Sequence, residues 1–426
     1  MGSRAFVFAH LADAHVGAWP RAPAVRAALR QSVLRALEVV EERDAEFLVI
    51  SGDLFHTPVP DPAEVAPIAS ALRRLVDRGK RIYAIYGSHD YVAHRTSWLD
   101  VLAAAGVFAK VAPEAVRTEG TRWTLPFLVD RPTGAAIAGI SGRSHGLDRA
   151  YFRAVDSEAF TQQSGFKIFL FHAAVEEYLP ASLREHIRGI SREDLPAGCG
   201  YYAGGHIHAT YLGDGPGGGP LVNPGAVFGT SRTDLEHAVA GTTHRGVAIV
   251  RVEDGQAHVE LVDTAPSDLL RLVDVDVTGR SAEEARREIE RRVREESSPG
   301  TLVFPKVHGE LAGGSLASLD FAEVSKAAAP ADGAITWDVR DLLPPGEESG
   351  PRGDETDIEA REIAELLSDT RKTAGWLAGK EAERLVRELV RELGVPRAEG
   401  ESRADYQNAR IDAARRLLGL PALRGD

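Results

Sequence analysis

Along the first 265 residues, apolar positions fall into short runs without a 3.6-residue period. Phe6–Ala12, Phe47–Ser51, Arg81–Tyr86, Ala136–Ile140, Lys167–Phe171 and Gly200–Gly204 read as strands. Between the second and third, Val65, Ile68, Leu72, Leu75 and Val76 recur at helical spacing, and Gly79 stands where a C-cap belongs. Strands alternating with helices predict an α/β layered core. The stretch Gly213–Pro220 reads as a turn between two strands.

The pattern changes near Ser267. A strand is predicted over Leu270–Val277, a helix from the Ser281-x-x-Glu284 capping box to about Glu296, and a strand over Thr301–Gly309. A short helix after Asp320 and a strand over Ala334–Val339 complete a small α+β unit. Leu342–Thr356 is rich in Pro, Gly and acids and reads as a linker. Beyond it the pattern is helical: Ile358–Leu367, Glu381–Leu393 with Leu385, Leu389 and Leu393 on one face, and about Ala404–Leu418. Helices this short need an apolar face buried somewhere, on their own domain or on a partner.

Composition narrows the class. The 426 residues are 43% hydrophobic and 27% charged, an ordinary globular mixture. The net charge of −13 argues against a nucleic-acid binder that works by a global positive field. It leaves open one that grips phosphates through metal ions. The single cysteine, Cys199, precludes an intrachain disulfide and a Cys-built zinc site, and suits a reducing cytosol. No apolar stretch approaches the roughly 20 residues a membrane helix needs.

Five short segments, each just after a predicted strand, hold most of the chemistry: Asp13-Ala-His15, Gly52-Asp53 with His56, Gly87-Ser88-His89-Asp90, His172, and Gly205-His206-Ile-His208. In an α/β fold the strand ends gather a site. On an extended backbone Asp13 and His15 would project together, as would His206 and His208. Each segment alone has an ordinary explanation as a turn or a structural histidine; their joint occurrence in order at strand ends does not. Mixed Asp/His sets favour Mn, Fe or Zn over Ca or Mg. Two such ions a few ångströms apart, bridged by one carboxylate, can clamp a phosphodiester, deprotonate a bridging water and stabilise the leaving oxygen.

The set resembles the calcineurin-like metallophosphoesterases, with their D-x-H, G-D, G-N-H-[DE], H and G-H-x-H pattern. The blocks HLADAHVG, GDLFH and GGHIH look like the SbcD-type nuclease subunit of the DNA double-strand-break repair complex. The resemblance implies a four-layer sandwich of two sheets flanked by helices, with a small α+β capping domain and C-terminal helices. The expected division is 1–266 nuclease domain, 267–342 capping domain, 343–356 linker and 357–426 helical ATPase-docking region. It implies two divalent ions, Mn2+ by preference: Asp13, His15 and His208 on one, His172 and His206 on the other, Asp53 bridging. His89 would act on the transition state or leaving oxygen, oriented by Asp90, with His56 beside the scissile region. Ser88 stands where the family has an Asn ligand, and a hydroxyl is a shorter and poorer donor than an amide oxygen.

The implied function is an exonuclease or endonuclease acting on DNA. It would be cytoplasmic (nucleoid-associated if prokaryotic), homodimeric, and partnered by a coiled-coil ABC-type ATPase. The competing expectations are another metallophosphoesterase, acting on a small phosphodiester or phosphoprotein, and a catalytically weak DNA-binding scaffold subunit.

Overall fold

In the computed structural model the chain divides into two compact units, Met1–Pro345 and Gly346–Asp426. Described are residues 4–345 except 91–95, 112–115, 118–122, 143–147, 181–183, 185, 186, 188 and 330–332. In the second unit only Glu388, Ala413, Arg416 and Leu417 are described, all helical. The expected ridge of Leu385, Leu389 and Leu393 lies outside the described residues.

The chain opens with β1 (Phe6–Leu11), α1 (Pro23–Glu42), β2 (Phe47–Ser51), α2 (Pro62–Asp77), β3 (Arg81–Ile85), α3 (Trp98–Ala104) and β4 (Ala109–Lys110). A ribbon of β5 (Val116–Arg117) and β6 (Trp123–Thr124) leads to β7 (Leu128–Asp130) and β8 (Ala135–Ile140). After α4 (Asp148–Arg153) and α5 (Ser157–Gln162) come β9 (Lys167–His172), β10 (Tyr201–Gly205), β11 (Tyr211–Asp214) and β12 (Pro220–Asn223). Then α6 (Arg232–Val239) carries the chain to β13 (Gly246–Glu253) and β14 (Gln256–Asp263). The first sheet has the order β14-β13-β1-β2-β3-β4 and the second β11-β12-β10-β9-β8-β7. In both, the central strands run parallel; antiparallel strands close both edges of the second sheet and the β13–β14 side of the first, whose other edge, β4, is parallel to β3.

The alternation of side chains explains the layers. Phe6 and Phe8 of β1, Phe47 and Val49 of β2, and Tyr83 and Ile85 of β3 meet Ile137, Ile168, Leu170, Tyr201 and Ala203 of the second sheet. The intervening residues Ala9, Leu11, Leu48, Ile50, Ile82 and Ala84 pack against α1 and α2. Phe169, Phe171 and Tyr202 face the other way, under α4 and α5. Strands covered on both faces carry no polar alternation, which is why they appear in sequence as continuous apolar runs. Together these layers form the expected α/β four-layer sandwich of two sheets flanked by helices.

The third sheet is built from β15 (Leu270–Asp276), α7 (Ala282–Glu296), β16 (Leu302–Glu310), α8 (Phe321–Ala328), β17 (Ala334–Ile335) and β18 (Leu342–Leu343). Its own core is Val273, Val275, Ile289, Val293, Val303 and Val307, while Leu270, Leu302 and Phe304 join the core of the first sheet. The capping box forms as read: Ser281 and Glu284 exchange hydrogen bonds at the start of α7. The strand expected over 334–339 is shorter, ending at Ile335. Pro305 in β16 has no N–H to donate, so continuous pairing stops there and resumes as a single bridge between Lys306 and Asp338. No helix among the described residues is long and apolar enough to cross a membrane.

Phe8 sits at the centre of the sandwich. It is fully buried, stacks on Phe47 at 5.1 Å and meets Tyr201 edge-on at 5.1 Å. Phe8→Ala should lower unfolding free energy by about 3–5 kcal/mol, as for other buried Phe truncations. Denaturant titration checks this; a loss under about 1 kcal/mol would show that the two sheets do not depend on this contact.

Candidate metal centre

Every expected site segment leaves a strand at the same end of the two sheets. Asp13 and His15 follow β1, Asp53 follows β2, Ser88–Asp90 follow β3, His172 ends β9 and His206 follows β10. The expected extended backbone at Asp13-Ala-His15 is not what the fold adopts. Asp13 (φ 49°), His15 (φ 46°), Asp53 (φ 52°) and His206 (φ 92°) all lie in the left-handed region. Non-glycine residues adopt it at an energetic cost, so surrounding contacts must enforce it. Here the two loops hydrogen-bond each other: Asp13 N–H to Gly52 O, His15 N–H to Asp53 O, Val16 N–H to Leu54 O, and His56 N–H to Val16 O. The result turns side chains inward that a strand would have placed elsewhere.

Glycines set how closely the segments approach. A Cβ on Gly87 would lie 2.0 Å from Asp53 Oδ1, and one on Gly205 would lie 2.3 Å from Ser51 O. Both positions therefore need glycine for space.

The carboxylate of Asp53 is the hub. Its Oδ2 lies 3.2 Å from His172 Nε2 and 3.6 Å from His15 Nε2. Ser88 Oγ donates to Oδ2 at 3.3 Å, and the His89 N–H donates to Oδ1 at 2.8 Å. Asp13 takes the His206 N–H on both oxygens, at 3.0 and 3.1 Å. Ligand atoms of Asp13, His15 and His208 converge in one group and those of Asp13, Asp53 and His172 in another, each within 4.8 Å. His206 lies outside both groups, its ring against His172 with centroids 5.1 Å apart. A third group, His15, His56 and His89, overlaps the first at His15.

The hydrogen bonds fix where lone pairs point. His172 Nδ1 lies 2.8 Å from Ser51 O, an acceptor, so Nδ1 carries the proton. His172 Nε2 is buried without a hydrogen-bond partner and faces a carboxylate oxygen. His208 Nδ1 lies 2.9 Å from Asp234 Oδ2, so it too carries the proton. His208 Nε2 then faces His15 Nε2 at 3.1 Å. Bare imidazole nitrogens and carboxylate oxygens aimed at one another repel unless a cation or a proton lies between them. The donor set fits divalent ions of the first transition row.

Ionisation in the site is set by burial acting against these close contacts. Burial opposes the charge of Asp53, but His172, His15 and the His89 N–H hold its carboxyl below the usual range. Burial pushes Asp13 up to about 6 despite nearby His172 and His208. Burial opposes a charge on His172, yet Asp53 and Asp13 raise it to about 10. Burial and the neighbouring His172 lower His206 to about 4.

Asp90 differs from expectation. It does not hold the His89 ring; its fully buried carboxylate accepts the N–H groups of Leu54, Phe55 and Gly87 at 3.1, 3.0 and 3.2 Å. It clamps the Asp53 loop to the Gly87 loop. His89 Nδ1 instead meets the carbonyl of His56 at 2.9 Å, and the two rings stack at 5.0 Å. The exposed His89 ring thus has its Nε2 free of that bond.

Three positions that support the His206–His208 loop are silent or ambiguous in the sequence. Asn223, whose Asn-Pro-Gly turn reads in sequence equally well as a site turn or an ordinary one, donates to the carbonyls of Ile207 and Ala209 and so shapes the His206–His208 loop. Asp234 partners His208, and the buried Arg245 donates to the His208 carbonyl at 2.5 Å. A capping-box pattern, Ser231-x-x-Asp234, was legible, but nothing in it points to chemistry.

Comparison with known proteins agrees with this geometry. The family described as Calcineurin-like phosphoesterase matches residues 6–209, a span that holds all the motifs from Asp13 to His208. Three relatives are each named DNA double-strand break repair protein Mre11. That of Methanopyrus kandleri is 28% identical over 67% of this chain and 62% of its own length. That of Methanococcus maripaludis is 26% identical over 48% and 52%, and that of Archaeoglobus fulgidus 26% over 57% and 54%. The chain thus spans between half and two thirds of the length of these relatives.

If Asp90 is a clamp, Asp90→Asn turns an N–H toward backbone donors. It should lower stability by about 1–3 kcal/mol in denaturant titration. The pH–rate profile should stay in place, because the His89 ring is untouched; a shifted alkaline limb, where a general acid loses its proton, would return Asp90 to an orienting role.

Proposed function

We propose that this chain, with its calcineurin-like phosphoesterase domain at residues 6–209, is a divalent-metal-dependent DNA phosphodiesterase of the double-strand-break repair type. The observation that carries the reading is the set of bare imidazole nitrogens and carboxylate oxygens facing one another around Asp53. The DNA substrate is supported by the names of the three relatives and by the HLADAHVG, GDLFH and GGHIH blocks.

Asp13, His15 and His208 would hold one ion, His172 and His206 the other, and Asp53 both; Ser88 would complete the second set. When bound, two such ions, Mn2+ by preference, neutralise the phosphodiester, acidify a water and stabilise the leaving oxygen. His89, with Nδ1 committed to the His56 carbonyl, has Nε2 available to protonate the leaving oxygen. His56 stacks on that ring and limits its tilt. The left-handed loops and the Asp90 clamp hold these groups in place before substrate arrives. A surface of net negative charge is compatible with a polyanionic substrate when the contact is made through cations.

The reading extends to the assembly. The small third sheet, within 267–342, is read as a capping domain. Residues 357–426 are read as the dock for a coiled-coil ABC-type ATPase, with 343–356 as linker. A homodimer in the cytoplasm, on or near the nucleoid in a prokaryote, completes it.

The test is hydrolysis of linear and circular DNA in Mn2+ and Mg2+, beside a phosphodiester dye. Wild type should cleave DNA and dye with Mn2+. Asp53→Ala should lose bound metal and activity together. His89→Ala should keep its metal and lose the ~10²–10⁴ in rate typical of an absent general acid. Dye hydrolysis without DNA cleavage would overturn the nuclease reading, and metal loss in His89→Ala would move that residue among the ligands.

Ser88 gives a separate expectation. Its hydroxyl is engaged by Asp53, so the second ion would lack the amide oxygen usual in the family. Ser88→Asn should lower the Mn2+ needed for half-maximal rate by about tenfold. An unchanged or higher requirement would show that the pocket is adapted to serine.

A further inference from the structure

We propose that Asp234 is a positioning residue for the metal centre: it fixes the ring and tautomer of His208 so that Nε2 is presented to the ion as a lone pair. The inference rests on the metal-centre reading above and adds to it a residue beyond the strand-end motifs.

Asp234 lies in the first turn of α6. Its Oδ2 accepts the His208 Nδ1–H at 2.9 Å, the Thr230 N–H at 2.8 Å, the Ser231 N–H at 3.1 Å and the Thr230 hydroxyl at 3.4 Å. Its own N–H donates to Ser231 Oγ at 3.2 Å. The backbone donors pin the carboxylate to the start of the helix, and the pinned carboxylate in turn pins the imidazole. A histidine free to rotate, or protonated on Nε2, could not offer that nitrogen to an ion.

Arg245 secures the other side. It is 1% exposed, and its guanidinium donates to the carbonyls of His208 at 2.5 Å, of Asp234 at 2.8 Å and of Ala226 at 3.5 Å. Its Nη2 is 3.7 Å from Asp234 Oδ1, so the buried carboxylate has a countercharge. One cation thus ties together the backbones that carry ligand and support. A carboxylate behind a ligating histidine orients it and raises its basicity, and losing such a contact commonly weakens binding 10–100-fold.

The simpler role for Asp234 is to cap α6. Two variants separate the roles. Asp234→Asn keeps the size and an acceptor for the helix start but removes the charge behind His208. Ser231→Ala removes the capping partner and leaves the His208 contact. Calorimetric titration of the full chain with Mn2+ should show wild type binding two ions, and Asp234→Asn weakened about 10–100-fold in one of them. Ser231→Ala should bind within about twofold of wild type, even if it melts earlier.

Equal Mn2+ affinity in Asp234→Asn and wild type would overturn the inference, as would equal weakening in both variants. Absence of Mn2+ binding by wild type would instead refute the metal-centre reading, and the inference with it. Should Asp234→Asn fail to fold, histidine-labelled wild type gives the same answer by nitrogen NMR. A slowly exchanging imidazole N–H, assigned through its loss in His208→Gln, should persist when Zn2+ is added. Its disappearance on Zn2+ binding would place the ion on Nδ1 and refute the role of Asp234.

Discussion

The repulsion stored around Asp53 is the constraint on which the rest of this protein depends. His172 Nε2 and His15 Nε2 lie 3.2 and 3.6 Å from one carboxylate oxygen, and His208 Nε2 lies 3.1 Å from His15 Nε2. The proton positions on His172 and His208 are dictated by Ser51 O and Asp234, so in their neutral forms both rings turn a bare Nε2 lone pair into the gap. Such a cluster is stable only with positive charge inside it. Protons can supply that charge to His172, which Asp53 and Asp13 drive strongly toward its cationic form. Divalent ions would supply it to all the groups at once.

Holding like-charged and lone-pair groups together requires a rigid frame. The sandwich provides one by burying its strands on both faces, so that strand ends cannot slide. Left-handed conformations at Asp13, His15, Asp53 and His206 aim the side chains, and interlocked loop hydrogen bonds keep them there. The Asp90 clamp and the close approach at Gly87 then fix the Asp53 loop to its neighbour. Support for the other half of the site comes from Asn223, Asp234 and Arg245, all after the last strand-end motif.

How far the sequence revealed this depends on the kind of interaction. Strands such as Phe47–Ser51 were legible because double-sided burial leaves an unbroken apolar run. The cluster of site residues was legible because Asp, His and Gly recur at strand ends in a fixed order. The shortened strand after Ala334 was not, since Pro305, which interrupts its partner, lies far away in sequence. The roles of Asp90 and Asp234 were hidden for a related reason. Their partners are backbone N–H groups and a ring 26 residues away, and no periodicity encodes those. The extended reading of Asp13-Ala-His15 failed because a loop pairing with Gly52–Leu54 overrides the local preference.

Two divalent ions would share the Asp53 carboxylate. Anomalous diffraction at the manganese edge, on crystals of the full chain grown with Mn2+, tests this most directly. Two peaks are expected, one among Asp13, His15 and His208 and one beside His172 and His206, both in contact with the Asp53 carboxylate. A single peak held by His15, His56 and His89, or no peak near Asp53, would contradict this.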